Sequence, residues 1–245
     1  MIRFITVFAA VMAFATAAHS QAIDPSLLQV PVDGSVASWI IRTFGLLTVL
    51  SVAPGILIMV TSFPRFIIAF AILRSGMGLA TTPANMILVS LALFMTFYVM
   101  APTFDQAWDK GINPLLENQI TEKEAIPLIA DPFREFMLAN ARPKDVALFI
   151  DIATERGQTT ESAGKIDLRV LVPAFMISEI RRGFEIGFLV VLPFLVIDLV
   201  VATITMSMGM MMLPPTAISL PFKILFFVLI DGWNLLVGSL VRSFV

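Results

Sequence analysis

The chain alternates between long apolar runs and short polar or proline-containing breaks. Four runs, near residues 40–60, 84–101, 186–204 and 222–241, are long enough for a membrane span, which takes about 20 residues. Prolines and glycines interrupt these runs, so we expect kinks, for example at Pro54. The pattern predicts an all-α fold built from helical hairpins of long, kinked apolar helices.

A middle region, residues 103–169, differs because charges, amides and turn residues appear among its apolar positions. Pro102 is predicted to end the helix before it. Helical spacing of apolar residues indicates short amphipathic helices here, and residues 156–165 are predicted to form a loop. The chain is thus divided into a first apolar hairpin, 39–102, the amphipathic region, and a second apolar hairpin, 170–245. The apolar residues at helical spacing are Phe133, Phe136 and Met137 in one set and Val146, Phe149 and Ile150 in another; all of them except Val146 are predicted to make helix–helix contacts.

Residues 1–20 have the pattern of a cleavable signal peptide. Arg3 supplies a positive start, the apolar segment 4–18 is short for a membrane span, and Ala18-His19-Ser20 places small residues at the cleavage position. A retained first membrane helix is the alternative. Cleavage is favoured and implies a location in the bacterial envelope, with residues 21–38 as a polar lead-in.

Two helix-start signals resemble each other. Ser62-Phe63-Pro64 is followed by Arg65, and Ser219-Leu220-Pro221 is followed two residues on by Lys223. Serine can cap a helix and proline suits its first turn, so we expect a helix to restart at each site. Chance similarity between two apolar segments explains the resemblance equally well.

Composition supports a membrane protein and excludes several kinds of site. The 245 residues are 58% hydrophobic and 14% charged, against about 45–50% and about 25% in soluble domains. Net charge is −2 and cysteine is absent, which argues against nucleic-acid binding, disulfides and thiolate chemistry. The single histidine, His19, lies in the signal segment, so the mature chain has no histidine for a catalytic triad or zinc site.

Charges within the apolar runs conflict with simple lipid exposure. Asp198, Lys223 and Asp231 would each cost at least about 2.5–3.5 kcal/mol at a bilayer centre. Arg181 and Arg182 would lie outside the membrane beside a span, against the positive-inside rule. We therefore expect much of the apolar surface to face other protein chains.

Two sets of charges are candidate structural residues. Asp198 and Lys223 are isolated in apolar sequence, and buried charges need partners, so we hypothesise an ion pair between them or with a neighbouring chain. A proton relay through Asp198 is the weaker alternative. A second set is interpreted either as a solvated collar or as salt bridges between subunits, which we favour. Its members are Glu179, Arg181, Arg182 and Glu185.

Three consecutive methionines, Met210, Met211 and Met212 (the methionine triplet), interrupt the second hairpin. Gly209 precedes them and Pro214 and Pro215 follow, so these three residues are expected to shape the loop. Methionine is flexible and polarisable, which suits contact with a variable surface. From the residues alone, core filling or lipid contact explains the triplet better.

Seven segments of the chain carry a resemblance to a known family. They are 62–66 (SFPRF), 173–179 (PAFMISE), 186–188 (IGF), 192–200 (LPFLVIDLV), 206–215 (MSMGMMMLPP), 220–223 (LPFK) and 231–235 (DGWNL). Together they resemble the FliP family of flagellar type III export-gate proteins, which has relatives in virulence injectisomes. The resemblance covers about residues 40–245 and is most specific in the last third.

The resemblance implies a homopentamer that assembles with FliQ and FliR, with FlhA and FlhB as further partners. It implies a helical cone at the periplasmic face of the inner membrane, within the flagellar basal body. Unfolded flagellar subunits would pass through its central pore, and the methionine triplet would seal that pore as a deformable gasket. No catalytic residue, metal or cofactor is implied.

Two other functions remain open from the sequence. A proton- or ion-coupled transporter would use Asp198 and Lys223 to bind the ion. A structural scaffold that nucleates the flagellar rod would need no gasket. An aspartyl intramembrane protease is disfavoured, because Asp198 and Asp231 lack the motif of such enzymes.

Overall fold

The computed structural model describes residues 36–162, 164–209 and 214–244, and these are almost entirely helical. The all-α prediction is therefore confirmed. The signal segment, most of the lead-in and the methionine triplet lie outside the described residues. The chain divides into two units, Met1–Ala53 and Pro54–Val245, and the packing described below belongs to the second.

Nine α-helices, one π-helical turn and one short β-hairpin make up the described part of the chain. They are α1 (Val36–Met59), α2 (Phe63–Gly76), α3 (Asn85–Ala107), the π-helix (Trp108–Ile112), α4 (Asn113–Leu116), α5 (Glu122–Asn140), α6 (Pro143–Glu155), β1 (Glu161–Ser162), β2 (Lys165–Ile166), α7 (Leu168–Ser207), α8 (Pro215–Leu229) and α9 (Gly232–Arg242).

The short helix α2 lies at the centre of the second unit. Its residues Phe66, Ala69, Phe70 and Leu73 are at most 1% exposed, and they form the apolar core together with residues of α3, α7, α8 and α9. α2 also packs closely along α7, the 40-residue helix of the second hairpin. Each fully buried side chain of this size stabilises the fold by about 1.5–3 kcal/mol, so α2 is the main hydrophobic anchor of the unit.

The amphipathic middle region forms α5 and α6, as its periodicity predicts. Met137 is 1% exposed and packs with Leu171 and Phe175 of α7 in a second, smaller core, against which Phe136 and Val146 also lie. The predicted loop after α6 contains the two paired strands β1 and β2. A hairpin was not expected there, because strands of two residues carry no periodicity.

The start of α5 is stabilised by a local carboxylate. Thr121 donates from its backbone N–H and from its hydroxyl to Glu124 Oε2, both at 2.9 Å. The backbone hydrogen bond from Thr121, with the hydroxyl adding to it, lowers the pKa of Glu124 below its usual value. This exposed carboxylate therefore favours the helix in its ionised form.

Two predicted helix boundaries are wrong. α3 continues through Pro102, because its buried row of Ala92, Thr96, Met100 and Thr103 runs past the proline and its packing outweighs one lost backbone bond. The second start signal, 219–221, lies inside α8, which already begins at Pro215.

Helix lengths within the described residues support a membrane protein. α3 with its continuation, Asn85–Leu116, and α7, Leu168–Ser207, are long and apolar enough to cross a membrane. The pair α8 and α9 is bent by 63° at Ile230 and Asp231, and could count as a third span. The predicted continuous final helix is thus broken, where Asp231 adopts a left-handed conformation with φ of 52°.

Candidate functional site

The contact between α2 and α7 depends on two glycines of α7 that lie four residues apart, Gly183 and Gly187. A Cβ atom on Gly183 or Gly187 would lie 3.0 Å or less from Ile68 or Ile72 of α2. Gly76 at the end of α2 makes the reciprocal contact, since a Cβ there would lie 2.4 Å from Val191. The two helices therefore approach closely, and an ion pair lies near each end of this contact.

The first ion pair joins the start of α2 to α7. Arg65 donates from Nε to Glu179 Oε2 at 3.0 Å and from Nη2 to Glu179 Oε1, which makes the pair bidentate. Both side chains are fully buried. Such a pair has strict geometry, because the planar guanidinium matches a carboxylate only in this fork arrangement.

The C-terminal segment completes the binding of Arg65. Its Nη1 donates to the Ser243 carbonyl at 3.0 Å and to Ser243 Oγ at 2.7 Å. The guanidinium carbon lies 3.5 Å from the centre of the Phe244 ring, which also stacks with Phe66 and Phe136. Arg65 thus connects α2, α7 and the chain end in one buried cluster.

Burial and ion pairing shift the pKa of Arg65 in opposite directions. Burial lowers the pKa of the Arg65 guanidinium, and the hydrogen bond to Glu179 opposes that shift. A buried guanidinium needs a carboxylate partner, because an uncompensated charge in the interior is costly.

The solvated-collar interpretation is wrong for Glu179, which is fully buried, and its ion pair lies within the chain rather than between subunits. Arg181 and Glu185 do lie at the surface, where Arg181 Nε donates to Glu185 Oε1 at 2.8 Å. Arg182 is also exposed. A role for these three exposed charges between subunits stays a prediction.

The second ion pair joins α7 to α8. Lys223 Nζ donates to Asp198 Oδ2 at 2.6 Å and to the Gly76 carbonyl at 3.2 Å, while Ser219 Oγ donates to Asp198 Oδ1 at 2.5 Å. The Lys223 side chain is 4% exposed and that of Asp198 is 29% exposed. These are the two residues that the sequence analysis hypothesises to pair, and both carboxylate oxygens bind groups of the same chain.

This second pair lies at the base of the α7–α8 hairpin. α7 ends at Ser207, Gly209 follows with a left-handed φ of 74°, and Pro214 immediately precedes α8. The methionine triplet between them is outside the described residues, so its gasket role stays a prediction. The contacts of Asp198 on α7 with Lys223 and Ser219 on α8 nevertheless hold together the two helices of the hairpin that carries the triplet.

The sequence contained two signals for this site that the analysis missed. Each of the two similar start segments carries a cation shortly after a serine, three residues on at Arg65 and four residues on at Lys223, and both cations bind an acid of α7. Ser219 binds the acid as well, whereas Ser62 Oγ is buried without a hydrogen-bond partner within the described residues. The similarity therefore reflects how each segment meets α7, not two equivalent helix starts.

The close approach of α7 to α2 could have been predicted from the spacing of Gly183 and Gly187, because small residues four apart let helices approach closely in membranes.

Within the described ranges, no three His, Cys, Asp or Glu side chains come together as a metal site.

Comparison with known proteins agrees with this architecture. A family model described as the FliP family matches residues 46–240. The chain is 76% identical over 245 residues to the flagellar biosynthetic protein FliP of Rhizobium meliloti (strain 1021). The alignment covers 100% of both chains.

More distant relatives carry the same name. Identity is 48% over 240 residues to the protein of Caulobacter vibrioides, covering 98% of this chain and 90% of the relative. It is 49% over 212 residues to that of Bacillus subtilis, covering 86% and 95%. The match over most of the chain, together with the apolar helices described above, shows that this protein belongs to the FliP family.

Proposed function

We propose that this chain is a core subunit of the flagellar protein-export gate. Several copies form a ring, a pentamer by family resemblance, which conducts unfolded flagellar subunits together with FliQ and FliR. FlhA and FlhB are the further partners. The gate lies in the inner membrane, largely at its periplasmic face, within the flagellar basal body. The methionine triplet seals the closed pore.

The locked base of the α7–α8 hairpin carries this proposal. A seal needs a deformable tip on a fixed support, and Asp198 fixes the support through Lys223 and Ser219. Gly209, with its left-handed φ of 74°, gives the chain a turn at the start of the loop. Methionine side chains at the tip can adapt to different polypeptides and keep water out between them.

Exposed apolar side chains on both helices support assembly into a ring. Leu199 of α7 is 68% exposed, and Val228 and Leu229 of α8 are 68% and 75% exposed. Large apolar side chains exposed to this extent on neighbouring helices favour contact with lipid or with other protein chains. Close helix–helix contacts among several copies would cover it, which also removes the conflict between the charged residues and simple lipid exposure.

The test uses the absence of cysteine from the chain. Met211→Cys is introduced into a strain that lacks its own copy, together with a flagellar subunit fused to a folded domain that stalls during export. Unique cysteines along the stalled subunit are then oxidised or bridged with a short crosslinker. The proposal predicts covalent adducts at Met211, because the passing polypeptide touches the triplet.

The matched control is Met86→Cys, a methionine on α3 that is 81% exposed. It should give at least about tenfold less adduct. Equal labelling at both positions, or no adduct in an assembled complex, would contradict the proposal and favour the scaffold function. Ion-driven uptake of a small solute by the chain would instead favour a transporter.

A further inference from the structure

A groove of about 520 Å³ lies between the end of α6 and the start of α7. Its floor is apolar, formed by Phe149, Ile152 and Val170, and its rim carries the cations Arg156 and Arg169. Neither arginine has an ion-pair partner within the described residues, and both are exposed. The volume is within the range of pockets that bury a ligand of several groups, so the groove has room for a few side chains with acidic neighbours.

A projecting surface of matching chemistry lies at the turn between α4 and α5. Leu116 and Ile126 there are 66% and 67% exposed, although both are large and apolar. Glu117 and Glu122 lie beside them in the sequence and are exposed too. Ile129 packs on Gly111 of the π-helix, and Ile126 is one turn earlier on the same side of α5. α4 and α5 also contact each other directly. We name this acidic, apolar projection the knob.

We propose that the knob of one copy of this chain binds in the groove of the next. Leu116 and Ile126 would cover the apolar floor, while Glu117 and Glu122 would pair with Arg156 and Arg169. Charge and apolar character match on both counts. Within the described residues none of these four charges forms an ion pair, and Glu117 accepts hydrogen bonds from the side-chain amides of Asn113 and Gln119. The inference rests on the proposed ring and names part of its subunit interface.

Knob and groove lie on different sides of the subunit, which makes the contact head-to-tail. α5 packs on α7 through Leu171 and Phe175, whereas the groove uses Val170 and Pro173. At 100° per residue these two pairs point in nearly opposite directions from α7. A contact between two different surfaces repeats from copy to copy, and it closes into a ring when the rotation allows.

Disulfide crosslinking between differently tagged full-length chains tests the contact. One chain carries Gln158→Cys at the groove and the other Lys123→Cys at the knob, both at exposed positions of a chain without native cysteine. They are co-expressed with the other export proteins in a strain that lacks its own copy. Oxidation should give a mixed dimer that carries both tags.

The matched control replaces the groove cysteine by Lys144→Cys, an exposed position at the start of α6, whereas the groove lies at the end of that helix. Lys144 is eleven residues before Glu155, the last residue of α6, or roughly 17 Å along the helix axis. This control should give at least about tenfold less mixed dimer with Lys123→Cys.

Charge reversal supplies the second measurement. Arg156→Glu with Arg169→Glu should lower the crosslink yield about tenfold or more, which corresponds to about 1.4 kcal/mol. Adding Glu117→Lys and Glu122→Lys to the knob of the other chain should restore it. Rescue also shows that the reversed groove is still folded.

The outcomes separate this inference from the proposed function. A mixed dimer with rescue supports the contact. Assembled oligomers that give no Gln158–Lys123 crosslink, or a groove crosslink to a different protein, overturn the contact and leave the ring intact. Chains that form no oligomer at all overturn both.

Discussion

Removing Glu179 should destabilise this protein far more than removing an equivalent acid at its surface. In Glu179→Leu the guanidinium of Arg65 stays buried at 0% exposure, with only the Ser243 oxygens and the Phe244 ring around it. Breaking one side of a buried ion pair typically costs about 3–5 kcal/mol, because the remaining charge is uncompensated. We expect a loss of that size in the free energy of unfolding.

The same helix provides the matched control. Glu185 pairs with Arg181 four residues away, and these side chains are 55% and 57% exposed. Exposed pairs of this spacing contribute about 0.3–0.5 kcal/mol, so Glu185→Leu should change the free energy of unfolding by no more than that. Both variants are measured in detergent by reversible denaturant unfolding of the purified chain.

The double variant separates charge from packing. Arg65→Met with Glu179→Leu removes both charges, and replacement of a buried pair by apolar residues is often neutral or stabilising. We expect it to recover most of the loss, except for about 1 kcal/mol from the two Ser243 acceptors that Arg65 no longer binds. Equal costs for Glu179→Leu and Glu185→Leu, or no recovery in the double variant, would refute this reasoning.

Three further predictions concern a glycine, the second ion pair and the start of α5. A Cβ atom at Gly232 would lie 2.1 Å from a buried phenylalanine ring, whereas one at Gly238 of the same helix would meet nothing within 4 Å. Gly232→Ala should therefore cost about 1–3 kcal/mol in the free energy of unfolding, and Gly238→Ala should gain up to about 1 kcal/mol. Asp198→Lys with Lys223→Asp should restore more stability and assembly than either single change, and a swap no better than the singles would disprove a direct pair. Glu124 has a lowered pKa in the folded chain. Its contribution to the stability of the fold is therefore complete above its unfolded pKa of about 4.3 and is lost as pH falls through the lower folded value. Glu124→Gln should flatten the pH dependence of the melting temperature below about pH 5, and an unchanged profile would contradict this prediction.

The helices were predictable because long apolar runs have few structural solutions. Periodicity around Phe136 and Val146 correctly indicated α5 and α6, which pack on α7. The prolines led to wrong predictions of helix boundaries, since α3 continues past Pro102 and α8 continues past Pro221, and both helices have buried residues before and after the proline. Local rules treat proline as a helix end, but in a helix held by neighbours it costs one hydrogen bond.

Of the two ion pairs that join α7 to its neighbours, only one was predictable from the sequence. Asp198 and Lys223 are isolated charges in one hairpin, so their pairing followed from the need for neutralisation. The Arg65–Glu179 pair joins residues 114 positions apart, and no local pattern links them. Glu179 is one of four neighbouring charges that we interpreted as salt bridges between subunits, whereas Gly183 and Gly187 of α7 let α2 approach closely enough to bury Glu179 within the chain.

The central claim is that the methionine triplet seals a protein-conducting pore, and one measurement tests it most directly. Met210, Met211 and Met212 are replaced together by alanine, and ion leak and flagellar-subunit secretion are measured in the same cells, with complex assembly checked by co-purification. The account predicts raised ion leak while secretion continues, because the shorter side chains leave the pore open to water. An assembled complex with neither leak nor secretion changed would contradict it and assign the triplet to ordinary packing.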